Sequence, residues 1–229
     1  MAPATSSFAR PPSTQEAVLA ELRKRLGTGA LLPGSKLSPD QLALELGVSR
    51  VPIREALMIL EGEGQVRYRP RRGFFVAEFS LPDLRDVYRM RELLETEAAS
   101  LALEGLDAAR LDGIEAALVD ADGASGRGDL VAYAEANRRF HLDLFAASER
   151  RLLVRTIRRL WDATDTYRAL YANDERHRRR AAAQHRAILD GLRRGDIAAV
   201  IAAQDDHRAD ALEALAAILD GAGSRGATG

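Results

Sequence analysis

Three of the four histidines, His141, His185 and His207, lie in segments predicted to be helices of one bundle. Imidazole nitrogens are common ligands of divalent metals, and a bundle can bring such side chains together from facing helices. Asn137 lies four residues before His141, so both side chains would leave the same face of one helix. Three imidazoles and an amide oxygen would leave coordination positions open on Zn²⁺ or a similar ion. Three unrelated core histidines are the alternative.

The sequence contains no cysteine. This excludes disulfides, thiolate nucleophiles, iron–sulfur clusters and cysteine-ligated zinc. Any metal site must therefore use the histidines, the carboxylates or the amides. The fourth histidine, His177, lies in a charged run over residues 174–180, which indicates a solvated helix face.

DNA binding by arginines is a second candidate chemistry. The 229 residues carry 33 Lys and Arg against 34 Asp and Glu, and this near balance argues against a uniformly basic nucleic-acid-binding protein. The charge is unevenly divided, because residues 1–79 carry 11 basic against 8 acidic side chains, whereas the rest carry 22 against 26. The basic excess is concentrated in Arg67, Arg69, Arg71 and Arg72.

Capping and turn signals predict three helices in the first part of the chain. Ser13, with Glu16 three residues later, has capping-box spacing for a helix through about residue 26. Ser38 followed by Pro39 starts a second helix, which ends at Gly47.

Ser49 caps a third helix through about residue 60, and the short turn before it completes a helix-turn-helix layout. Strands over residues 66–69 and 74–79 form a hairpin, or wing, with a basic tip. Ser49, Arg50 and Arg54 occupy the first turns of the third helix, where a recognition helix presents side chains to base edges. An ordinary helical bundle with solvated arginines is the alternative.

The chain from Leu81 onward has a helical pattern and no strand signal. Its roughly 140 residues are enough for a core of their own. The expected helices are 82–104, 108–125, 129–147, 149–171, 174–194 and 196–220. The predicted fold is therefore mostly α, with a winged helix-turn-helix (13–79), an all-α bundle of about six helices (80–221) and disordered termini (1–12 and 222–229).

The first part carries a series of short motifs in a fixed order. They are Leu32-Pro33-Gly34-Ser35-Lys36-Leu37-Ser38, Leu42-Ala43, Leu46-Gly47-Val48-Ser49-Arg50, Pro52-Ile53-Arg54-Glu55-Ala56-Leu57, Leu60 and Gly73-Phe74-Phe75-Val76. Together they resemble the winged helix of the GntR family of bacterial regulators. The resemblance implies operator contacts by Ser49, Arg50, Val51, Pro52 and Arg54, with Gly73 at the wing tip beside the basic Arg71 and Arg72. Asp40 stands where some relatives carry a DNA-contacting basic residue, so that contact is not expected here.

The second part resembles the FCD-type sensing domain of the FadR-type branch of that family. The motifs are Val87-Tyr88-x-x-Arg91-x-x-Leu94-x-x-x-Ala98, Asn137-x-x-Phe140-His141-x-x-Leu144, His185-x-x-Ile188-Leu189 and His207. The resemblance implies a divalent metal held by Asn137, His141, His185 and His207, with Asn137 a weaker ligand than the usual Asp. It also implies an effector carboxylate paired with Arg91, although a surface ion pair between Arg91 and Glu95 is the alternative. Zinc is the preferred metal, with nickel and manganese as alternatives.

These observations predict a transcription regulator, a repressor, which binds a near-palindromic operator as a homodimer and senses a small organic acid. It is not expected to be an enzyme. The alternatives are a three-histidine hydrolase fused to a winged helix and a metal-free sensor of a larger apolar ligand. No apolar run approaches the roughly 18 residues of a membrane span, and residues 1–12 lack the apolar core of a signal peptide, so the expected location is the cytoplasm without a membrane partner.

Overall fold

The computed structural model describes residues 12–226, which contain ten α-helices and one three-stranded sheet. The predicted fold, a winged helix-turn-helix followed by a helical bundle, is confirmed. The elements are α1 Thr14–Gly27, β1 Lys36–Leu37, α2 Pro39–Leu46, α3 Arg50–Gly62, β2 Val66–Arg69, β3 Gly73–Val76, α4 Leu81–Gly105, α5 Ala108–Arg127, α6 Leu130–Ala146, α7 Arg151–Ala163, α8 Asp165–Ala172, α9 Glu175–Arg194 and α10 Ile197–Gly226. Below, α1 to β3 are called the N-terminal unit, and α4 to α10 the bundle.

The C-terminal end of the described chain is helical further than predicted. Helix α10 continues to Gly226, so residues 222–226, predicted to belong to a disordered terminus, are helical. The predicted disorder of residues 1–11 and 227–229 falls outside the described residues.

Local capping chemistry explains where the first helices begin. Ser13 and Glu16 form the expected capping box, in which the Glu16 amide donates to the Ser13 hydroxyl at 3.2 Å and the Ser13 amide donates to the Glu16 carboxylate at 2.6 Å. The Ser38 hydroxyl caps α2, and Gly47 ends it with a left-handed φ of 65°. Ser49 has the extended conformation of a cap before α3, but its side chain makes no capping hydrogen bond.

The sheet contains a strand that the sequence did not predict. Lys36–Leu37 pairs antiparallel with β3, giving the order β1-β3-β2. Two residues are too few to show the alternation that identifies a strand. The predicted second strand of the hairpin was too long, because β3 ends at Val76.

The N-terminal unit has its own core. Ile53, Leu57 and Leu60 of α3 are fully buried, as their spacing predicts. Leu44 of α2 is 85% exposed. It lies two residues from the buried Leu42, so it points away from the core.

The bundle has seven helices because the segment predicted as one helix over residues 149–171 is broken at Thr164. This residue has φ −110° and ψ 9°, between α7 and α8. Its hydroxyl donates to the Leu160 main-chain oxygen at 3.0 Å, a local side-chain bond of the kind that competes with regular helix. None of the described helices is both long and apolar enough to cross a membrane.

Candidate metal centre and DNA-contacting surface

Three helices of the bundle bring the three predicted histidine ligands together. His141 from α6, His185 from α9 and His207 from α10 each offer a ring nitrogen, and these nitrogens lie within 4.8 Å of one another. The Nε2 atoms of His141 and His185 are 3.0 Å apart. Ligand nitrogens around a tetrahedral ion with bonds of about 2.0–2.1 Å are roughly 3.3 Å apart, so the spacing fits a bound metal.

The surroundings of the histidines keep the imidazoles neutral. His141 and His185 are 2% and 1% exposed, and the ring of Phe140 packs against both at about 5 Å. Burial lowers the pKa of His141 and of His185 well below the ordinary value, and burial with the charges of Arg91 and Arg208 lowers the pKa of His207 to about 3. Neutral imidazoles have the free lone pair that a metal requires.

Gln184 orients one of the rings and was missed by the sequence reasoning. Its side-chain oxygen lies 2.9 Å from Nδ1 of His207, which leaves Nε2 of that ring for a metal if Nδ1 carries the proton. The amide of Gln184 in turn donates to Asp210. No local motif signals this role, because Gln184 and His207 belong to different helices.

Asn137, the fourth predicted ligand, lies one turn before His141 on α6. It is partly buried and lines the same cavity as His207. Coordination of a metal by Asn137 stays a prediction.

Arg91 occupies a buried ion-pair cluster. It is 2% exposed, and its Nε lies 2.8 Å from Oε1 of Glu95, so the pair with Glu95 exists but is buried, not a surface pair. The same carboxylate accepts from Trp161 at 2.7 Å and from Arg208 at 2.8 Å. Burial opposes the charge of Arg91, but the charge and hydrogen bond of Glu95, together with the nearby Tyr88 and Tyr171, outweigh burial, so the pKa of Arg91 is raised.

Arg168 and Arg208 are also buried beside this cluster, and each pairs with a further carboxylate, Asp165 and Asp205 respectively. Arg168 lies with its guanidinium 4.3 Å from the ring of Trp161, and burial together with the charge of Arg91 lowers the pKa of Arg168 to about 9. Among residues 12–226, Nη1 of Arg91 and Nε of Arg208 are buried without a hydrogen-bond partner. Such unpartnered guanidinium nitrogens favour a further acceptor.

A cavity of about 480 Å³, called the cleft below, opens between the N-terminal unit and the bundle. His207, Asn137 and Arg168 line it, whereas Arg91 does not. Helix α1 provides one wall, and α6 and α8 provide the other. The residues that line it from α1 include Ala20, Arg23, Lys24 and Gly27. The sequence reasoning missed Arg168, because only the tertiary structure places it beside the histidines.

The cleft lies next to the joint between the two units. The side-chain Nε2 of Gln65, at the turn before β2, donates to the main-chain oxygen of Asp162 at 2.9 Å and to the Asp165 carboxylate at 3.3 Å. Asp165 also accepts from Arg138 and Arg168, both of which line the cleft. One carboxylate therefore contacts both units.

The predicted DNA-contacting residues lie at the exposed start of α3. Ser49, Arg50, Val51 and Arg54 are exposed, and Pro52 is partly buried in the first turn. Nε of Arg50 lies 2.7 Å from the Asp40 carboxylate on α2. Asp40 thus partly neutralises one of the two arginines of this surface.

The hairpin presents a basic tip. Arg71 and Arg72 are exposed, and Arg71 has the uncommon positive φ of 62°. Gly73 follows with φ 97°, a conformation that favours glycine. The guanidinium groups of Arg69 and Arg72 lie 4.9 and 6.0 Å from the ring of Phe75, which holds positive charge along the wing.

Two family models match the chain. The model described as "Bacterial regulatory proteins, gntR family" matches residues 14–76, and the model described as "FCD domain" matches residues 86–222. The second match alone covers more than half of the chain.

Similar proteins include the HTH-type transcriptional regulator McbR of Escherichia coli strain K12, 33% identical over 141 residues. That alignment covers 62% of this chain and 64% of McbR, so the chain spans a little under two thirds of that relative. The HTH-type transcriptional repressor RspR of the same strain is 26% identical over 194 residues, which is 85% of each chain. The solved structure of E. coli McbR/YncC superposes with a TM-score of 0.80 at 26% identity, covering 91% of this chain and 100% of that one.

Proposed function

The chain belongs to the GntR family of bacterial regulatory proteins and has an FCD domain. On this premise we propose that it is a repressor which binds a near-palindromic operator as a dimer. An organic acid changes its affinity for the operator. The chain is a transcription regulator, and the three-histidine hydrolase considered from the sequence is wrong. The observation that carries the proposal is the cleft, which joins the histidine cluster at one end to α1 of the N-terminal unit.

Operator binding rests on the start of α3 and on the wing. Ser49, Arg50, Val51, Pro52 and Arg54 stand where a recognition helix meets base edges, and Arg71, Arg72 and Gly73 suit contacts to phosphate. Because Asp40 partly neutralises Arg50, the guanidinium of Arg54 is the more available of the two for a contact with a base.

A dimer follows from the size of this surface. One short recognition helix provides limited specificity, whereas two copies related by a two-fold axis read two half-sites about one helical turn apart. The similarity to RspR, a transcriptional repressor, supports repression, and the family's DNA-binding role supports a cytoplasmic location.

The metal proposal rests on donor chemistry. His141, His185 and His207 would hold a divalent ion, zinc for preference, with Asn137 as an oxygen ligand. When bound, the ion would act as a Lewis acid that attracts a carboxylate oxygen of the effector. The imidazoles are neutral and so have lone pairs free for the ion, and the contact with Gln184 orients the ring of His207.

The effector proposal rests on the buried arginines near the histidines and on the guanidinium nitrogens among them that have no hydrogen-bond partner in the described part of the chain. Arg168 faces the cleft beside His207, and the unpartnered Nη1 of Arg91 lies in the same cluster. A carboxylate would supply a further acceptor for these arginines, beside Glu95 and Asp165. The clustered histidines also favour this reading over the metal-free sensor of an apolar ligand.

Effector binding can change the affinity for DNA only if the effector binds two arrangements of the N-terminal unit and the bundle with different affinity. The joint offers the route, because Arg138 and Arg168 line the cleft and also hold Asp165, which contacts Gln65 of the N-terminal unit. An anion that competes for these arginines would loosen Asp165 from its partners.

The experiment that tests DNA recognition uses operator sequences selected by the protein from a random duplex pool. We expect a symmetric sequence bound by two chains, and an affinity loss of at least about fivefold in Arg54→Ala, since one base contact contributes ~1–3 kcal/mol. Met58→Ala, at an exposed position one turn further along α3, is the matched control. An unchanged footprint for Arg54→Ala, or an asymmetric site bound by one chain, would refute this part of the proposal.

A further inference from the structure

The size of the cleft constrains the effector. Its volume of about 480 Å³ falls within the roughly 300–1,000 Å³ typical of sites for drug-sized ligands. An acid of two to four carbons would leave most of this space to water. The cleft therefore fits a larger molecule than the small carboxylate expected from the sequence.

One end of the cleft is suited to a carboxylate. His207 of the histidine cluster, the amide of Asn137 and the guanidinium of Arg168 all line it. A guanidinium can bind both oxygens of a carboxylate, which fixes the orientation of the anionic group. The terminal nitrogens of Arg168 already donate to the Thr164 hydroxyl and the Asp165 carboxylate, so an acidic group at this end would compete with Asp165 for Arg168.

The start of α6 and the end of α8 bring several apolar and aromatic side chains to the cleft, beside the polar Glu135 and Asn173 and opposite Arg23 and Lys24 of α1. The apolar and aromatic side chains include Leu130, Val131, Tyr133, Ala134 and Tyr171. Burial raises the pKa of Tyr133 to about 12, in keeping with a poorly hydrated wall. Apolar surface of this kind gains free energy when a ligand covers it.

We propose that the effector is an amphipathic acid, with a carboxylate at the His207–Arg168 end of the cleft and an apolar or aromatic body along the α6–α8 wall. The body reaches the space beside α1, where Ala20 and Gly27 leave room for it. Such a ligand touches the N-terminal unit directly, whereas a two-carbon acid at the metal does not. This inference rests on the proposed function and narrows its ligand class.

The test is a calorimetric titration of the full chain, loaded with zinc, with four probes: acetate, hexanoate, phenylacetate and hexan-1-ol. We expect hexanoate or phenylacetate to bind at least tenfold more tightly than acetate, and hexan-1-ol to bind more weakly than hexanoate. Acetate affinity equal to or above that of both larger acids would overturn the inference. Tight hexan-1-ol binding would overturn it in favour of an apolar ligand.

A matched pair of variants locates the apolar body. Ala134→Leu adds bulk inside the cleft, whereas Ala146→Leu adds the same bulk at an exposed position of the same helix. Ala134→Leu should weaken the larger acid at least tenfold and leave acetate and bound zinc unchanged, and Ala146→Leu should change none of them. Equal effects of the two variants would refute the placement. Failure of every acid to bind the zinc-loaded protein would instead refute the effector part of the proposed function, and this inference with it.

Discussion

The side-chain nitrogen of Gln65 lies 2.9 Å from the main-chain oxygen of Asp162 and thereby joins the N-terminal unit to the bundle. The acceptor lies in the last turn of α7, where carbonyl groups lack regular helical partners. Thr164 ends that helix, so the break in the bundle creates the acceptor that the N-terminal unit uses. Because Asp165 also contacts Gln65, the joint and the cleft share a carboxylate.

Gln65→Ala should loosen the N-terminal unit from the bundle. It removes two hydrogen bonds of a buried side chain, and a net loss of about 1 kcal/mol per bond, ~2 kcal/mol for both, corresponds to roughly a thirtyfold rise in local opening. Hydrogen–deuterium exchange should become faster in α1 and α8 and remain unchanged in α9. Glu21→Ala, which breaks an ion pair with Arg25 inside the N-terminal unit, is the control. Identical exchange in Gln65→Ala and the wild type would show that Gln65 does not hold the joint.

Asp40→Ala should increase affinity for non-specific duplex DNA. The Asp40 carboxylate lies 2.7 Å from Nε of Arg50, so its removal frees a guanidinium for phosphate. One further phosphate contact steepens the dependence of log affinity on log salt by about 0.9. A salt titration of binding measures this slope. Glu61→Ala removes an exposed acid near the other end of α3 and should change the slope less. A slope unchanged by Asp40→Ala would contradict the account of Arg50.

Two glycines in the bundle should respond oppositely to a methyl group. A Cβ at Gly105 would lie 2.6 Å from the main-chain oxygen of Ala147, which cannot rotate away, so Gly105→Ala should destabilise the fold by ~1–3 kcal/mol. A Cβ at Gly113, inside α5, meets no atom within 4 Å, so Gly113→Ala should stabilise by ~0.5–1 kcal/mol. Urea denaturation of both variants measures the difference. Equal stabilities would show that α4 and the α6–α7 turn are not packed this closely.

Sequence patterns predict the parts of this fold that depend on local chemistry. Ser13 with Glu16, Ser38 with Pro39, and Gly47 mark helix ends because caps and left-handed turns need those residue types within a few positions. The two-residue strand β1 could not be predicted, because its partner β3 is distant in the chain. The break at Thr164 could not be predicted either, because it depends on competition between side-chain and main-chain hydrogen bonds within one turn.

Local sequence features also predicted part of the candidate site. Histidines are rare enough that His141, His185 and His207 stand out, and helix spacing places Asn137 beside the first of them. The roles of Arg168, Gln184 and Gln65 depend on contacts between separate helices, and no spacing in the sequence signals them. The spacing of Arg91 and Glu95 predicts their pairing, but their burial follows only from the packing around them.

The central claim is tested most directly by the metal content of the protein. Elemental analysis after zinc addition and dialysis should find about one zinc per chain in the wild type and in His177→Ala, whose ring lies outside the cluster. It should find little in His207→Ala or His141→Gln, both checked for helical content by circular dichroism. Wild-type protein without zinc, or histidine variants that retain it fully, would contradict the account.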